Sequence, residues 1–599
     1  MDKRAWYLMV AILGVGLSGA AWSQQKASNP IPADGAMDVL APLLQWTPGT
    51  GATVHDVYLG TTPDLGPADL VGPRWPSTVY WYGLGIVAGT RYYWRVDEVQ
   101  KDGVTVVTGD VWTFLAQPLT AFMPDPADGS NAAPIAPDLT WLKGQVALKH
   151  HVYFGESRAA VAAAAAETDR GVVVDPNYAP GELQPLTTYF WRVDELLPQD
   201  QVMAGEVWSF TTVLPVDDFE SYTDEEGSRI YEFWVDGVTN GTGSYVGYEN
   251  AAAGTFGETT IVHGGGQSMP LSYNNMDEPF YSETEYAFSG SQDWTADEVN
   301  ALTVHIRGNA ADFEIGHVVT PPVIDGEVDA VWATVAAYPI TTKIDGADPT
   351  GPADASGQFR VLYDAQNLYA LVDVNDEKLF NDSSSAYLDD SVEFYVDGDN
   401  TKKGPGLEGN NRQYTFGWTA TDIQGTNTNI TDVAFAQVNT PTGWRIELKF
   451  PWQSLMGTGA PVGKLIGIDC FYNDDDDGGD TRESQIAWHS TVGNDWQTPA
   501  SWGTAVVASP AAAPGADRFY VAIRDASNHT ATVVHPDPEI TKAGTWVPWQ
   551  IPLSDFVGVN LKTVRTMYIG VGDRDNPVPG GMATIFIDDV YLTKPAPDE

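Results

Sequence analysis

Cys470 is the only cysteine in the chain, so no intrachain disulfide and no Cys-based zinc site can form. It lies in the apolar stretch 465–472 and is expected to pack in a core. Basic residues are scarce: 31 Lys and Arg face 80 Asp and Glu, a net charge of −49. Nucleic acid binding needs a basic footprint, and none is present. Such acidity favours solubility, calcium or a salty medium. The nine His are scattered without a His-Glu-x-x-His pattern, which argues against a zinc hydrolase. One long apolar run exists, from Ala5 to Trp22 behind Lys3 and Arg4. With its small residues Ala20, Ala21 and Ser23 it reads as a secretory signal peptide over residues 1–23. The protein is therefore expected outside the cell, secreted or at its surface. An exported chain without disulfides must be held by large sheet cores or by metal ions.

What is plentiful is short alternating strands between Gly and Pro turns. At 599 residues the chain exceeds one core, and length alone gives about four domains. The first third repeats with a period of roughly 95 residues. Asn29-Pro-Ile-Pro-Ala-Asp-Gly35 returns as Pro124-Asp-Pro-Ala-Asp-Gly129, and Trp46 as Trp141. Tyr92-Tyr-Trp-Arg-Val-Asp-Glu98 returns as Tyr189-Phe-Trp-Arg-Val-Asp-Glu195. Alternation of Tyr92, Trp94 and Val96 with Tyr93, Arg95 and Asp97 marks a half-buried strand. The pattern predicts two β-sandwiches, over 29–117 and 122–213. Both resemble fibronectin type III domains, which implies spacers or protein-contact modules.

A new unit begins at Pro215-Val-Asp-Asp-Phe-Glu-Ser-Tyr222 and runs out of strands after Leu302-Thr-Val-His-Ile-Arg-Gly308. The same style resumes at Arg518-Phe-Tyr-Val-Ala-Ile-Arg-Asp525 and ends with Ala583-Thr-Ile-Phe-Ile-Asp-Asp-Val-Tyr-Leu592. Neither flank has enough strands to close a sheet without long exposed edges. Residues 216–312 and 516–596 are thus expected to form one discontinuous domain around a guest at 318–508. Insertion is tolerated where the guest's termini lie close together at an exposed loop. The fold class is all-β, a multidomain chain of sandwiches.

The guest has its own signals. Gln358-Phe-Arg-Val-Leu-Tyr363 and Leu368-Tyr-Ala-Leu-Val-Asp-Val374 flank turn residues and read as a hairpin. In Asp390-Ser-Val-Glu-Phe-Tyr-Val-Asp397, period-two geometry buries Val392, Phe394 and Val396, leaving Glu393 with Ser391 and Tyr395 on the other face. In residues 412–418 it buries Tyr414, Phe416 and Trp418 and leaves Gln413 and Thr415 opposite. Glu393 would accept hydrogen bonds from sugar hydroxyls rather than transfer protons. Sugar recognition needs flat apolar faces for the ring's C–H side and fixed polar groups for its hydroxyls.

Val323-Ile-Asp-Gly-Glu-Val-Asp-Ala-Val-Trp332, the Glu393 strand and Asn494-Asp-Trp-Gln-Thr-Pro-Ala-Ser-Trp-Gly503 together resemble carbohydrate-binding module family 9. The resemblance covers about a third of the chain and implies two Trp rings sandwiching a terminal sugar, helped by a Glu, an Arg and an Asn. Trp496 matches one ring and Glu393 the Glu. Tyr387 stands where the other Trp is expected, and Thr415 stands where the Arg is. The Asn position falls at or beside Gly493 and Asn494. Losing the Arg puts the family's reducing-end preference in question. The carbohydrate-binding set is therefore Tyr387, Glu393, Gln413, Thr415, Asn494 and Trp496.

The flanking domain resembles jelly-roll carbohydrate-binding modules, which implies a structural Ca2+ at Glu220, Asp588 and Asp589. The run Asn473-Asp-Asp-Asp-Asp-Gly-Gly-Asp480 reads partly like a calcium loop. Ser484 stands where an EF-hand closes with Glu, leaving a solvated acidic loop as the other reading. The function expected is a secreted, non-catalytic protein that holds a polysaccharide or oligosaccharide, with extracellular glycoside hydrolases as partners and no catalytic residues of its own. The alternatives are an enzyme acting on O-glycosyl bonds through one of many possible carboxylate pairs, and a purely adhesive surface protein.

Overall fold

The computed structural model describes residues 26–596 apart from 249–254, 309–310, 401, 403–405, 408, 480, 492, 494–496 and 511–514. The signal-peptide reading at 1–23 lies outside the described residues. The chain divides into two units, one ending at Val213 and one running Leu214–Pro595.

In the first unit each repeat builds a small sheet facing a larger one. In the first repeat the large sheet runs Ala36–Val39, Trp112–Ala116, Arg91–Gln100, Ala52–Gly60, Leu70–Trp75. The second repeats that order with Ser130–Ala133, Val207–Thr212, Thr188–Leu196, Lys149–Gly155 and Asp169–Val173. Alternation fixes the cores. Trp46, Trp94 and Trp112 are buried in one, and Trp141, Trp191 and Trp208 in the other. A buried polar contact recurs beside each core. His55 meets Glu98, which also accepts from the Gly49 amide, and His150 meets Glu195 at 2.5 Å, which accepts from Gly144. Asp97, expected on the wet face, is buried because Arg95 Nε and the Gly109 amide both donate to it.

In the second unit two sheets draw strands from both sides of the guest. One runs Ser244–Val246, Met269–Asn274, Met582–Thr593, Ala301–Arg307, Val547–Pro552, with Leu214–Asp217 also pairing to Met582–Thr593. The other runs Trp234–Val235, Ser282–Gln292, Val564–Val571, Phe519–Asp525, Thr530–Val534. Each flank supplies strands the other lacks, so pairing across the guest covers the edges that either flank alone would expose.

The guest is a sandwich of its own. One sheet carries Asn411–Gly417, Ser391–Asp397, Leu465–Asp474, Ser484–Ala487 and Thr342–Gly346. The other carries Tyr338–Ile340, Ser356–Tyr363, Asn367–Asn375, Gly443–Pro451 and Ala434–Thr440. Phe313–His317 joins them: Phe313–Ile315 pairs with Gly503–Val507, then Gly316 and His317 pair with Leu362 and Tyr363. The guest's pairing therefore starts at Phe313, ahead of residue 318. Phe313 pairs with Ala505, two residues before the last guest strand ends at Val507, so the guest's two ends lie close together and the host can accept it. Val392, Phe394, Val396, Ile446, Phe450 and Cys470 fill the core between the sheets.

Candidate functional site

Period-two geometry sends Glu393 away from the sandwich core, yet its side chain is not on an open face: Glu393 is 2% exposed. Every residue of Ser391–Asp397 is buried: on the outer face of this sheet Tyr395 packs with Phe471 of the adjacent strand, and Trp502 packs on Tyr395 from another segment. The sequence pattern shows only that a residue leaves the core, and the covering layer comes from distant segments. The expectation of an outward face is corrected accordingly.

Buried charge requires partners, and Glu393 has several. The Tyr395 hydroxyl donates to one carboxylate oxygen, joined by Gln413 Nε2 at 3.3 Å. Asn473 Nδ2 donates to the other at 2.9 Å. Asn473 is itself oriented, since its Oδ1 accepts from Gln485 Nε2 at 2.7 Å and Arg482 Nη1 at 3.2 Å. Its amide group is thereby directed at Ser391 and Glu393. Asn473, Arg482 and Gln485 did not emerge from the sequence. The signal was the alternation of Leu465–Asp474 and Ser484–Ala487, which sets Asn473 beside Ser391 and Gln485 in register.

The rim stands over this floor. Tyr387 sits in the turn Ala386–Leu388 and is 47% exposed. The Arg482 guanidinium bonds the Tyr387 carbonyl at 3.2 Å and Asp345 at 2.9 Å. Burial is shallow there, and Arg482 draws Asp345 below the usual carboxylate range. Thr415 is buried, and its backbone exchanges hydrogen bonds with that of Gln424. Burial removes Thr415 from the rim, and the guanidinium that reaches the Tyr387 carbonyl belongs to Arg482, whose side chain is 19% exposed. Trp418 is only half-buried, contrary to expectation, and its indole donates to Asn439 at the surface. Asn494 and Trp496 lie outside the described residues. Their neighbour Gly493 passes over Asp345, where a Cβ would come within 3.1 Å of the Ile344 carbonyl.

Behind the floor, Asp376, Asp390 and Asp474 bring carboxylate oxygens within 4.8 Å of one another, all buried. The Tyr472 hydroxyl lies 2.6 Å from both the Asp376 and the Asp390 carboxyl groups and has one proton to share between them. Burial pushes Asp390 up to about 9, with Asp376 next to it adding to the shift, and raises Asp474 to about 8. Buried oxygens of Asp389, Asp474, Asp475 and Asp476 have no hydrogen-bond partner. Asp474 and Asp475 are thus not part of a solvated loop. Crowded, partnerless carboxylate oxygens fit a hard cation such as Ca2+.

In the host sandwich the loop 263–266 gathers the three residues expected to hold calcium. Glu220 accepts from the Gly266 and Gln267 amides, and Asp588 from the His263 and Gly264 amides. Asp588 is pushed up to about 7 by burial. Asp589 turns to His263 and His305, and burial, then the neighbouring His263, hold His305 below the usual histidine range.

Residues 324–509 match the family described as "Carbohydrate family 9 binding domain-like". The guest is family 9-like. Exoglucanase XynX of Acetivibrio thermocellus is 32% identical over 182 residues, 30% of this chain and 16% of that protein. Endo-1,4-beta-xylanase A of Thermoanaerobacterium saccharolyticum is 32% identical over 182 residues, 30% of this chain and 15% of that protein. A solved carbohydrate-binding module family 9 from Caldicellulosiruptor kristjanssonii in complex with cellotriose is similar at 22% identity and a TM-score of 0.29, covering 33% of this chain and 93% of that one. The chain thus spans about a sixth of the length of the curated relatives it matches.

Proposed function

We propose that this chain is a carbohydrate-binding protein that holds the end of an oligosaccharide or polysaccharide on its family 9-like guest. The observation that carries this reading is the exposed Tyr387 beside Arg482, over a floor in which Glu393 and Asn473 are locked in place. An aromatic face takes the sugar's C–H side, and Arg482 offers donors to hydroxyls. Trp496, which matches the family's ring position in sequence, is the candidate for the second ring. Glucose- and xylose-based oligomers are the first ligands to try, given what the relatives are named for. The protein acts outside the cell without cleaving its ligand, beside separate glycoside hydrolases. Asp376, Asp390 and Asp474 are buried together and offer no accessible carboxylate pair for glycoside cleavage. Buried as they are, they would instead hold a structural Ca2+ under the site.

Calorimetry of the full chain with cello- and xylo-oligosaccharides tests the proposal. Saturable binding that is lost in Tyr387→Ala supports it. Release of reducing sugar from a polysaccharide panel would replace it with a hydrolase.

A further inference from the structure

We propose that His263, His305 and Asp589 form a binding site for a borderline divalent transition cation of the Zn2+ class in the host sandwich. Each contributes one ligand atom, an imidazole nitrogen or a carboxylate oxygen, and the three lie within 4.8 Å of one another. His263 Nδ1 is 2.6 Å from the Asp589 carboxylate, and His305 Nδ1 is 3.2 Å from the Asp589 carbonyl. The two imidazole rings stack at 3.8 Å between centroids and 22° between planes.

The backbone is shaped around this group. The ladder between Ala301–Arg307 and Met582–Thr593 slips between Thr303 and His305, opposite the bulge where Asp589 takes φ +43°. A bulge re-aims the side chain it carries, and here it turns Asp589 toward the two rings while Asp588 bonds the loop amides. Gly264 lets that loop come close, since a Cβ there would sit 2.6 Å from Asp589 Oδ2. Trp546 fixes the start of the loop by donating from Nε1 to the Val262 carbonyl at 2.9 Å.

Donor chemistry selects the ion. Ca2+ takes six to eight oxygens, whereas two imidazoles and one carboxylate suit Zn2+ and its neighbours and leave a fourth position for water. Both His precede the guest in sequence and Asp589 follows it, so the ion would clip together the two chain segments that build the host. That is the role a disulfide cannot fill in a chain with one cysteine.

The test uses the full chain, stripped with EDTA and loaded with Zn2+, Co2+ or Ca2+ in turn, beside His263→Gln and Asp589→Asn. The wild type should bind one equivalent of Zn2+ more than either variant by equilibrium dialysis. Co2+ should give visible ligand-field absorption that both variants lose, and Zn2+ should raise the melting temperature of the host transition in the wild type alone. Equal Zn2+ content in all three proteins, with no Co2+ band, would overturn the site. So would Ca2+ bound in the wild type and in His263→Gln but lost in Asp589→Asn, with no Zn2+ difference among them.

Discussion

Trp332 Nε1 donates to Glu447 Oε1 at 2.9 Å, tying the opening motif of the guest to the middle of its second sheet. The other Glu447 oxygen accepts from the Asp325 and Gly326 amides, at 3.1 and 2.9 Å. A fully buried carboxylate thus gathers three donors from one short segment. This explains the spacing of Asp325, Gly326 and Trp332 in the opening motif as a docking requirement of the fold rather than a sugar contact.

Replacing Glu447 with Ala should therefore strand those donors and destabilise the guest by about 3 kcal/mol or more. Glu447→Gln keeps an acceptor oxygen and should cost less. Calorimetry should show the guest transition fall while the transitions of the first unit stay in place.

The two ring positions should contribute unequally. Trp496→Ala is expected to cost about 1–3 kcal/mol of sugar affinity. Tyr387→Trp should tighten binding by enlarging the stacking face, and Tyr387→Ala should weaken it. Titration calorimetry with the fold checked by circular dichroism reads each one, and unchanged affinity in Trp496→Ala would remove that ring from the site.

Among the described residues Arg482 hydrogen-bonds the Tyr387 carbonyl, Asn473 and Asp345, and it is not part of the apolar core between the sheets. Arg482→Ala should lower affinity about tenfold, roughly 1.4 kcal/mol. Arg482→Lys should not restore it, because a lysine cannot span three acceptors with a planar fork. Full affinity in Arg482→Lys would show that charge alone suffices.

The buried acids give a pH signature. Asp390 and Asp474 sit at about 9 and about 8 when folded, against about 3.9 in an unfolded chain. The folded state therefore binds more protons, and stability present below pH about 4 is lost as pH rises toward the folded values. In EGTA the guest should melt lower at pH 9 than at pH 6. Calcium binds the ionised carboxylates and should reverse that slope. A pH-independent melting temperature in EGTA would contradict this account.

Deleting residues 313–508 and bridging the gap with a short Gly-Ser linker should leave a soluble host that unfolds in one transition, since both of its sheets pair strands across the guest. Residues 214–308 expressed alone should not fold cooperatively. A stable, cooperative first flank would show that the pairing across the guest is dispensable.

Period and spacing alone determined a good deal of this protein. Repetition of Trp46 at Trp141 and of Trp94 at Trp191 was enough to place two equivalent cores, because a residue's face in a strand follows from its parity. The same rule put Val392 and Phe394 inside the guest, and its motifs matched family 9. The tertiary structure decided what parity cannot see. It brought Trp502 onto Tyr395 on the outer face of the Glu393 strand and buried Thr415. It carried Arg482 to the carbonyl of Tyr387 across nearly a hundred positions of sequence. It turned the loop acids Asp474 and Asp475 inward, and at a bulge it pointed Asp589 at two histidines that no motif connects. Alternation reports only whether a side chain leaves its own sheet. What it meets there is set by segments far away in the chain, brought close by burial of apolar surface.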